Sequence, residues 1–239
     1  MNYFSWLFDP AHWTGVDGVP QRLVEHLGYM ALTMLIALGF AIPVGAWIGH
    51  TGRGGFVIVG LANGLRALPT LGLLVLVVGL VGLGLTGPLV ALLVLAVPPI
   101  LAGAYAGVRN VDAAVVDAAR GMGMRGRDIL WKVELPNALP LIIGGVRSSV
   151  LQVIATATIA AYVGLGGLGR FIIDGLSVRD YPKMIAGSVL VAALAIACDL
   201  LLAGLQKLLV SPGLQVVPAG RGRLRAVRTP KTADAAPAA

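Results

Sequence analysis

The sequence predicts an all-α membrane protein, a polytopic bundle of about five transmembrane helices. Hydrophobic residues make up 57% of its 239 residues and charged residues 12%, and the mean hydropathy is +0.88. Apolar runs repeatedly reach the roughly 20 residues that one helix needs to cross a hydrocarbon core. A charged segment near residue 120 separates two of these runs and must therefore lie in water. Together these observations exclude a water-soluble domain.

The apolar runs divide into five predicted spans, at residues 27–48, 56–82, 88–108, 139–163 and 184–209. The second run is long for one crossing and contains Pro69, which kinks or splits a helix because its ring clashes with the preceding turn. A six-span division, broken near Pro69, is the alternative. Small residues such as Gly103 and Gly107 let helix backbones approach closely, so the spans are expected to form a packed bundle.

The basic residues predict the orientation. With five spans, twelve Lys and Arg fall on the side of the charged segment and four on the other side, or six against four without the residues from Lys207 onward. The positive-inside rule therefore places the charged segment and the C-terminus in the cytoplasm. The predicted parts are an extracytoplasmic segment at 1–26, a transmembrane domain at 27–209 and a basic, disordered cytoplasmic tail at 210–239.

No catalytic, cofactor or metal site is expected from the sequence. Two segments, at 82–87 and 164–169, match G-x-G-x-x-G, but both follow predicted spans instead of strands and are expected to be flexible turns. No P-loop motif occurs, and the three histidines have no metal-ligand spacing. The single cysteine, Cys198, lies in the last apolar run, which excludes an intramolecular disulfide.

The charged segment predicts two short helices joined by a turn. The first, at 112–120, would be capped by Asn110 or Asp112, and Gly121 and Gly123 would end it. The second would run from 125 to 133, and Pro136 would mark the return of the chain into the membrane.

The spacing in this segment closely resembles the EAA loop of bacterial ABC importer permeases, whose pattern is Glu-Ala-Ala, three residues, Gly, nine residues, Ile, one residue, Leu-Pro. Here Asp replaces Glu and Val replaces Ile, which keeps the sign of the charge and the shape. The resemblance implies that residues 117–136 are a cytoplasmic coupling loop whose first helix docks on a separate ATPase subunit. ATP would then be used by that partner and not by this chain. The matching residues are Asp117, Ala118, Ala119, Gly123, Val133, Leu135 and Pro136.

Most of residues 25–209 also resembles the osmoprotectant branch of this family, the permeases for glycine betaine, carnitine and choline. The similarity rests on residues 66–70, 145–149 and 164–169, although Arg66 stands where relatives tend to have Gln. It implies a second permease chain, identical or homologous, and a separate extracytoplasmic substrate-binding protein. A permease for methionine or another small solute is the alternative. A stand-alone secondary transporter or channel is the alternative of another class, but such carriers usually contain inverted repeats, and the sequence shows no internal repeat.

Three ionisable residues lie within predicted spans. Arg66, Arg147 and Asp199 all fall roughly 12–15 Å from the cytoplasmic end at 1.5 Å per residue. An unpaired charge in mid-membrane costs at least about 2.5–3.5 kcal/mol. We therefore expect Asp199 to pair with Arg147 or with Arg66, either to fix helix packing or as part of a solute path.

Three aromatic residues lie at or near predicted span ends, Tyr105, Tyr162 and Phe171. Anchoring at the membrane interface is the first expectation for each. The second is weak cation–π contact with a quaternary ammonium group.

Overall fold

The structure is a computed structural model that describes residues 5–210, and within that range it is built from helices and turns with no strand. The helices are α1 (Ser5–Phe8), α2 (Val19–Thr51), α3 (Gly55–Arg66), α4 (Thr70–Val81), α5 (Thr86–Arg109), α6 (Ala113–Gly121), α7 (Gly126–Ile129), α8 (Leu135–Ala160), α9 (Gly169–Val178) and α10 (Tyr181–Leu209). Single turns of 3₁₀-helix lie at Pro10–Trp13 and Ala161–Val163, and a π-helical segment lies at Leu130–Glu134. The all-α prediction is confirmed. The predicted disorder of the tail concerns residues 211–239, which lie outside the described range.

Four helical stretches are long and apolar enough to cross a membrane: Val19–Thr51, Thr86–Arg109, Gly126–Val163 and Tyr181–Leu209. The first is 33 residues long and begins eight residues before the predicted span. Its length of about 50 Å exceeds a core of about 30 Å, so its ends reach beyond the hydrocarbon. Pro20 in its first turn suits a helix start.

The predicted second span is two helices, α3 and α4, bent by 97° at a short break that contains Pro69. Each has 12 residues, or about 18 Å, so neither can cross the membrane alone. Gly55, at the start of α3, lies against Tyr105, and α4 contacts the turn after α8. The pair therefore runs from one end of the bundle to the other. The structure favours five crossings and gives no support to the six-span alternative.

Helices α2, α5 and α8 pack into what we call the three-helix slab. Glycines bring their backbones together: a Cβ on Gly45 would lie 2.7 Å from the carbonyl oxygen of Leu101, and a Cβ on Gly145 would lie 2.6 Å from that of Pro99. The buried side chains between these helices are mostly small, including Ala37, Ala96 and Ala157. Close contact of small residues is the usual means of packing helices in lipid, where the hydrophobic effect contributes little.

The surface of the single chain is strongly apolar, most of all on α10. Leu200, Leu201 and Leu208 are 65%, 74% and 84% exposed. Such a surface suits contact with lipid or with another membrane helix and not with water.

The turn at 164–169 differs from its prediction in one respect. It is a turn between helices, as expected, but it is held in place and not free to flex. The backbone N–H of Gly167 donates to Glu25 Oε2 at 2.8 Å, and Gly164 and Gly167 have φ near +90°. A Cβ on Gly169 would overlap the carbonyl oxygen of Thr158. Glycines are needed here for conformation and for close packing against α2 and α8.

Candidate functional site

The first helix of the loop, α6, forms as the sequence predicts. Asp112 is its N-cap, and its side chain accepts a hydrogen bond from the backbone N–H of Ala114 at 2.9 Å. This carboxylate satisfies one of the free N–H groups at the helix start. Gly123 follows the helix with φ +80°, a conformation that glycine adopts without steric cost.

The second helix of the loop does not end before the membrane. Helix α7 continues through the π-helical segment Leu130–Glu134 into α8, and Pro136 lies in the first turn of α8. The N–H of Leu135 bonds the carbonyl of Leu130, five residues back, and the Asn137 side chain donates to the carbonyl of Val133 at 2.7 Å. The wider π turn directly precedes the proline, which has no N–H to donate to the turn before it. The second loop helix is therefore not separate from α8, and Pro136 lies in the first turn of α8, where the chain was expected to return into the membrane.

The seven motif residues fall into two groups. Asp117, Ala118, Gly123 and Pro136 are exposed, and Asp117 forms a surface ion pair with Arg120 at 3.2 Å. Ala119 is 2% exposed and packs with Val116 and Ile129. Val133 and Leu135 are half-buried against neighbouring clusters.

The expected docking role of Ala119 therefore needs correction, because this side chain faces inward. Sequence reasoning also missed the exposed apolar side chains around the loop. Val115, Met122 and Trp131 are 45%, 76% and 69% exposed. Exposed large apolar residues beside a loop of charged residues are typical of a protein contact surface.

Within the bundle, the structure brings Arg147 and Asp199 together. Arg147 Nε and one of its terminal nitrogens donate to Asp199 Oδ1 at 2.9 and 2.7 Å, joining α8 to α10. About a third of each side chain is exposed, 31% and 33%, and Gln206 lies at the edge of hydrogen-bond distance from Arg147. The side chain of Arg66 lies outside the described part of the structure, so its proposed pairing with Asp199 stays a prediction.

A cavity of about 410 Å³ lies where α3 bends into α4, against the middle of α5 and α8. Among the residues whose side chains the structure describes, its polar ones are neutral, from Thr70, Ser148 and Gln152, and the others that line it are leucine and proline. Neither Arg147 nor Asp199 lines it. It adjoins the two prolines of α5, Pro98 and Pro99, which leave carbonyls of the preceding turn without helical donors.

The three aromatic residues do not line this cavity. Tyr105 packs against the start of α3, and Tyr162 is 62% exposed in the turn after α8. Phe171 is buried in α9 with its ring at 5.1 Å from that of Trp6. These three residues therefore do not converge on one site, and weak contact of any one of them with a quaternary ammonium group stays a prediction.

One long-range contact was not anticipated. His50 Nδ1 lies 2.6 Å from Glu134 Oε2, although the two residues are 84 apart in sequence. Their side chains are only 18% and 7% exposed. Among residues 5–210 there is no group of His, Cys, Asp and Glu that could hold a metal ion.

The chain is similar in sequence to known membrane transport proteins. Residues 41–211 match the family described as the binding-protein-dependent transport system inner membrane component. The chain is 34% identical to the glycine betaine/carnitine/choline transport system permease protein of Bacillus subtilis, over 80% of this chain and 88% of that protein. It is also 34% identical to the osmoprotectant import permease protein OsmY of Salmonella typhimurium, over 75% and 77% of the two chains.

Two solved structures share the fold. An inward-facing structure of the MetNI methionine ABC transporter matches with a TM-score of 0.71 at 22% identity, over 85% of this chain and 99% of that one. An amino acid ABC transporter crystallised with histidines matches with a TM-score of 0.63 at 19% identity, over 87% and 97%. At these identities the likeness concerns the fold alone.

Proposed function

Since this chain belongs to the family of binding-protein-dependent transport system inner membrane components, we propose that it is the permease subunit of an ATP-driven importer of osmoprotectants such as glycine betaine, carnitine and choline. The observation that carries the solute class is the sequence similarity. Relatives named for these solutes are 32–34% identical over about four fifths of the chain. Membership of a binding-protein-dependent family also argues against a carrier that works alone.

The loop at 117–136 would couple the chain to its ATPase. Helix α6 projects Asp117 and Ala118 outward, and Val115, Met122 and Trp131 offer apolar contact area around it. Ala119 and Val133 fasten the loop to the segment that leads into α8. Displacement of α6 is therefore transmitted to the transmembrane helix α8 through packed side chains. In this proposal ATP is used by the partner subunit and not by this chain.

The solute path would include the cavity at the bend between α3 and α4. It lies against the middle of α5 and α8, and a second permease chain, identical or homologous, would complete the path. Its neutral groups, Thr70, Ser148 and Gln152, can hold a compact solute only weakly. Weak contact suits a path that must release what it admits. Solute selection then belongs mainly to a separate extracytoplasmic binding protein.

The two ends of the bundle fit this arrangement. The turn at 164–169, α9 and the start of α2 share one end, and the loop at 117–136 shares the other end with His50. The proposed orientation puts the loop in the cytoplasm, which the distribution of Lys and Arg supports.

Uptake measurements test the solute class. We expect deletion of the gene to abolish one route of uptake of radiolabelled glycine betaine, carnitine or choline and to reduce growth at high osmolarity. Restoring the gene should restore both. Unchanged uptake of all three solutes together with loss of methionine uptake would contradict the proposal and favour the methionine alternative. The structural likeness to the methionine transporter does not itself favour that alternative, because it is too distant to report on the solute.

A further inference from the structure

The contact between His50 and Glu134 joins two elements that the motif does not connect. His50 is the last residue but one of α2, and Glu134 is the last residue of the π-helical segment. Their ring nitrogen and carboxylate oxygen lie 2.6 Å apart, and Glu134 is almost completely buried. Among the described residues, His50 alone forms a hydrogen bond with this carboxylate. A buried carboxylate needs such a hydrogen-bond partner.

The two residues lie on the route from the loop to the slab. Helix α6 packs through Val116 and Ala119 on Ile129. The π-helical segment follows directly after Ile129 and ends at Glu134. At the residue before His50, α2 packs closely on α5. A Cβ on Gly49 would lie 2.9 Å from the carbonyl oxygen of Tyr105.

Direct contact between α6 and α2 does not provide this connection. A cavity of about 210 Å³ lies between the two, with Asp117 and Arg120 on one wall and Gly49 and His50 on the other. Glu134 also lines this cavity. Displacement of α6 can therefore reach the end of α2 through Glu134 and His50. The cavity between α6 and α2 cannot pass this movement on by direct contact.

We propose that His50 and Glu134 are a positioning pair that makes α2 follow the loop when the ATPase moves it. This inference rests on the proposed coupling function. The pair holds the loop end of α2 to the π-helical segment, so that the loop and the three-helix slab move as one body. Without the pair, the ATPase would still dock and hydrolyse ATP, but less of its movement would reach the transmembrane helices.

The first test measures ATP hydrolysed per glycine betaine imported by the complete complex, with ATPase and binding protein, in proteoliposomes. Glu134→Ala removes the contact without stranding a carboxylate, so the complex should assemble. We expect the ratio to rise about fivefold or more, the lower end of typical couplings between sites. Exchanging the partners, His50→Glu with Glu134→His, should restore a low ratio. Asp174→Asn, which removes a carboxylate from the ion pair with Arg170 on α9, is the control and should leave the ratio unchanged.

The double variant separates positioning from simple stabilisation. His50→Ala alone strands a buried carboxylate and should lower the yield of complex. His50→Ala with Glu134→Ala should recover the yield but keep the high ratio. The proposal would be overturned by a double variant that recovers both the yield of complex and the low ratio of ATP to solute. It would also be overturned by a Glu134→Ala complex with the ratio of the wild type.

A second measurement does not depend on the solute. Spin labels replace the exposed residues Trp47 on α2 and Ala114 on α6 in a Cys198→Ser background, in the permease–ATPase complex. The wild-type distance should be the same with and without ATP and vanadate, because the two helices move together. In Glu134→Ala it should change or broaden on trapping. An unchanged narrow distance in that variant would refute the pair's role, whereas failure of glycine betaine uptake by the wild type would refute only the proposed solute.

Discussion

At the scale of single residues, the ion pair between Arg147 and Asp199 is the polar contact that sequence reasoning located best. Depth along the spans, with a fixed rise per residue, gave Arg147 and Arg66 as candidate partners of Asp199, and the structure shows the contact with Arg147. Two donors of Arg147 converge on one carboxylate oxygen of Asp199. About a third of each side chain remains accessible, so the pair lies at the edge of the packed bundle.

We expect Asp199→Asn to destabilise the protein in detergent by roughly 1–3 kcal/mol. This is less than the roughly 3–5 kcal/mol for a fully buried pair, because the stranded Arg147 is partly accessible. Arg147→Gln in the same chain should recover part of the loss, since no unpaired charge then remains. Thermal unfolding in detergent measures both.

The control for this experiment is Asp174→Asn, which breaks an i,i+4 ion pair between half-buried side chains on α9. Such pairs contribute little, and unfolding should shift by less than about 1 kcal/mol. A double variant no more stable than Asp199→Asn alone would show that Arg147 is not the partner that matters.

Contacts between residues far apart in sequence were the part of the site that could not be predicted. His50 and Glu134 carry no spacing signal, and their meeting depends on how α2 crosses α8. The same holds for Glu25 and Gly167, where a side chain of α2 accepts a hydrogen bond from the turn at 164–169. Periodicity and motifs report on neighbours along one element, whereas these pairs depend on tertiary packing.

At the scale of elements, the cap of α6 and the break at Pro69 were predictable, and the course of the chain at Pro136 was not. Asp112 caps α6 as expected because its carboxylate can satisfy a free N–H whatever the tertiary context. Pro69 accompanies a sharp bend, whereas Pro136 lies within a continuous helix. The difference is local: a π-helical turn directly precedes Pro136, whereas Pro69 lies in a break between two helices.

Gly123→Val should uncouple the permease from its ATPase. The residue has φ +80°, which is unfavourable for any side chain and most of all for a β-branched one. Nothing lies within 4 Å of a Cβ at this position, so the cost comes from the backbone conformation and not from a clash. The variant should insert in the membrane but lose copurification of the ATPase and solute uptake.

Gly121→Ala supplies the comparison for this variant. Gly121 ends α6 with ordinary helical geometry and has open space around its Cα. Alanine is a better helix former by about 1 kcal/mol, so this variant should retain both ATPase binding and uptake. Normal uptake by Gly123→Val would remove the support for the coupling role of the turn.

At the scale of the whole molecule, composition settled the class and the number of crossings followed from the apolar runs. The sequence predicts five spans and the structure contains four long helices with one bent pair. Which faces of these helices meet could not be predicted, because apolar residues surround each span and give no amphipathic stripe. Backbone contacts at glycines such as Gly45 and Gly145 determine the packing, and these became visible only in three dimensions.

The direction in which the bundle crosses the membrane is the last prediction. Asn110 follows α5 at the loop end, and Ser177 is exposed on α9 at the other end. Cys198 is the only cysteine, so Cys198→Ser gives a background without thiols. In that background Ser177→Cys should react with a membrane-impermeant maleimide in spheroplasts, whereas Asn110→Cys should react only after the membrane is permeabilised.

The physical reason for this expectation is the excess of Lys and Arg on the loop side, six against four even without the residues from Lys207 onward. Such residues resist transfer across the membrane during insertion, so the side that is richer in them stays in the cytoplasm. Cysteine at position 110 is matched to that at 177 because both replace small polar side chains at exposed ends of helices. Labelling of position 110 in intact spheroplasts, with position 177 protected, would invert the orientation and place the loop at 117–136 out of reach of ATP and of any ATPase.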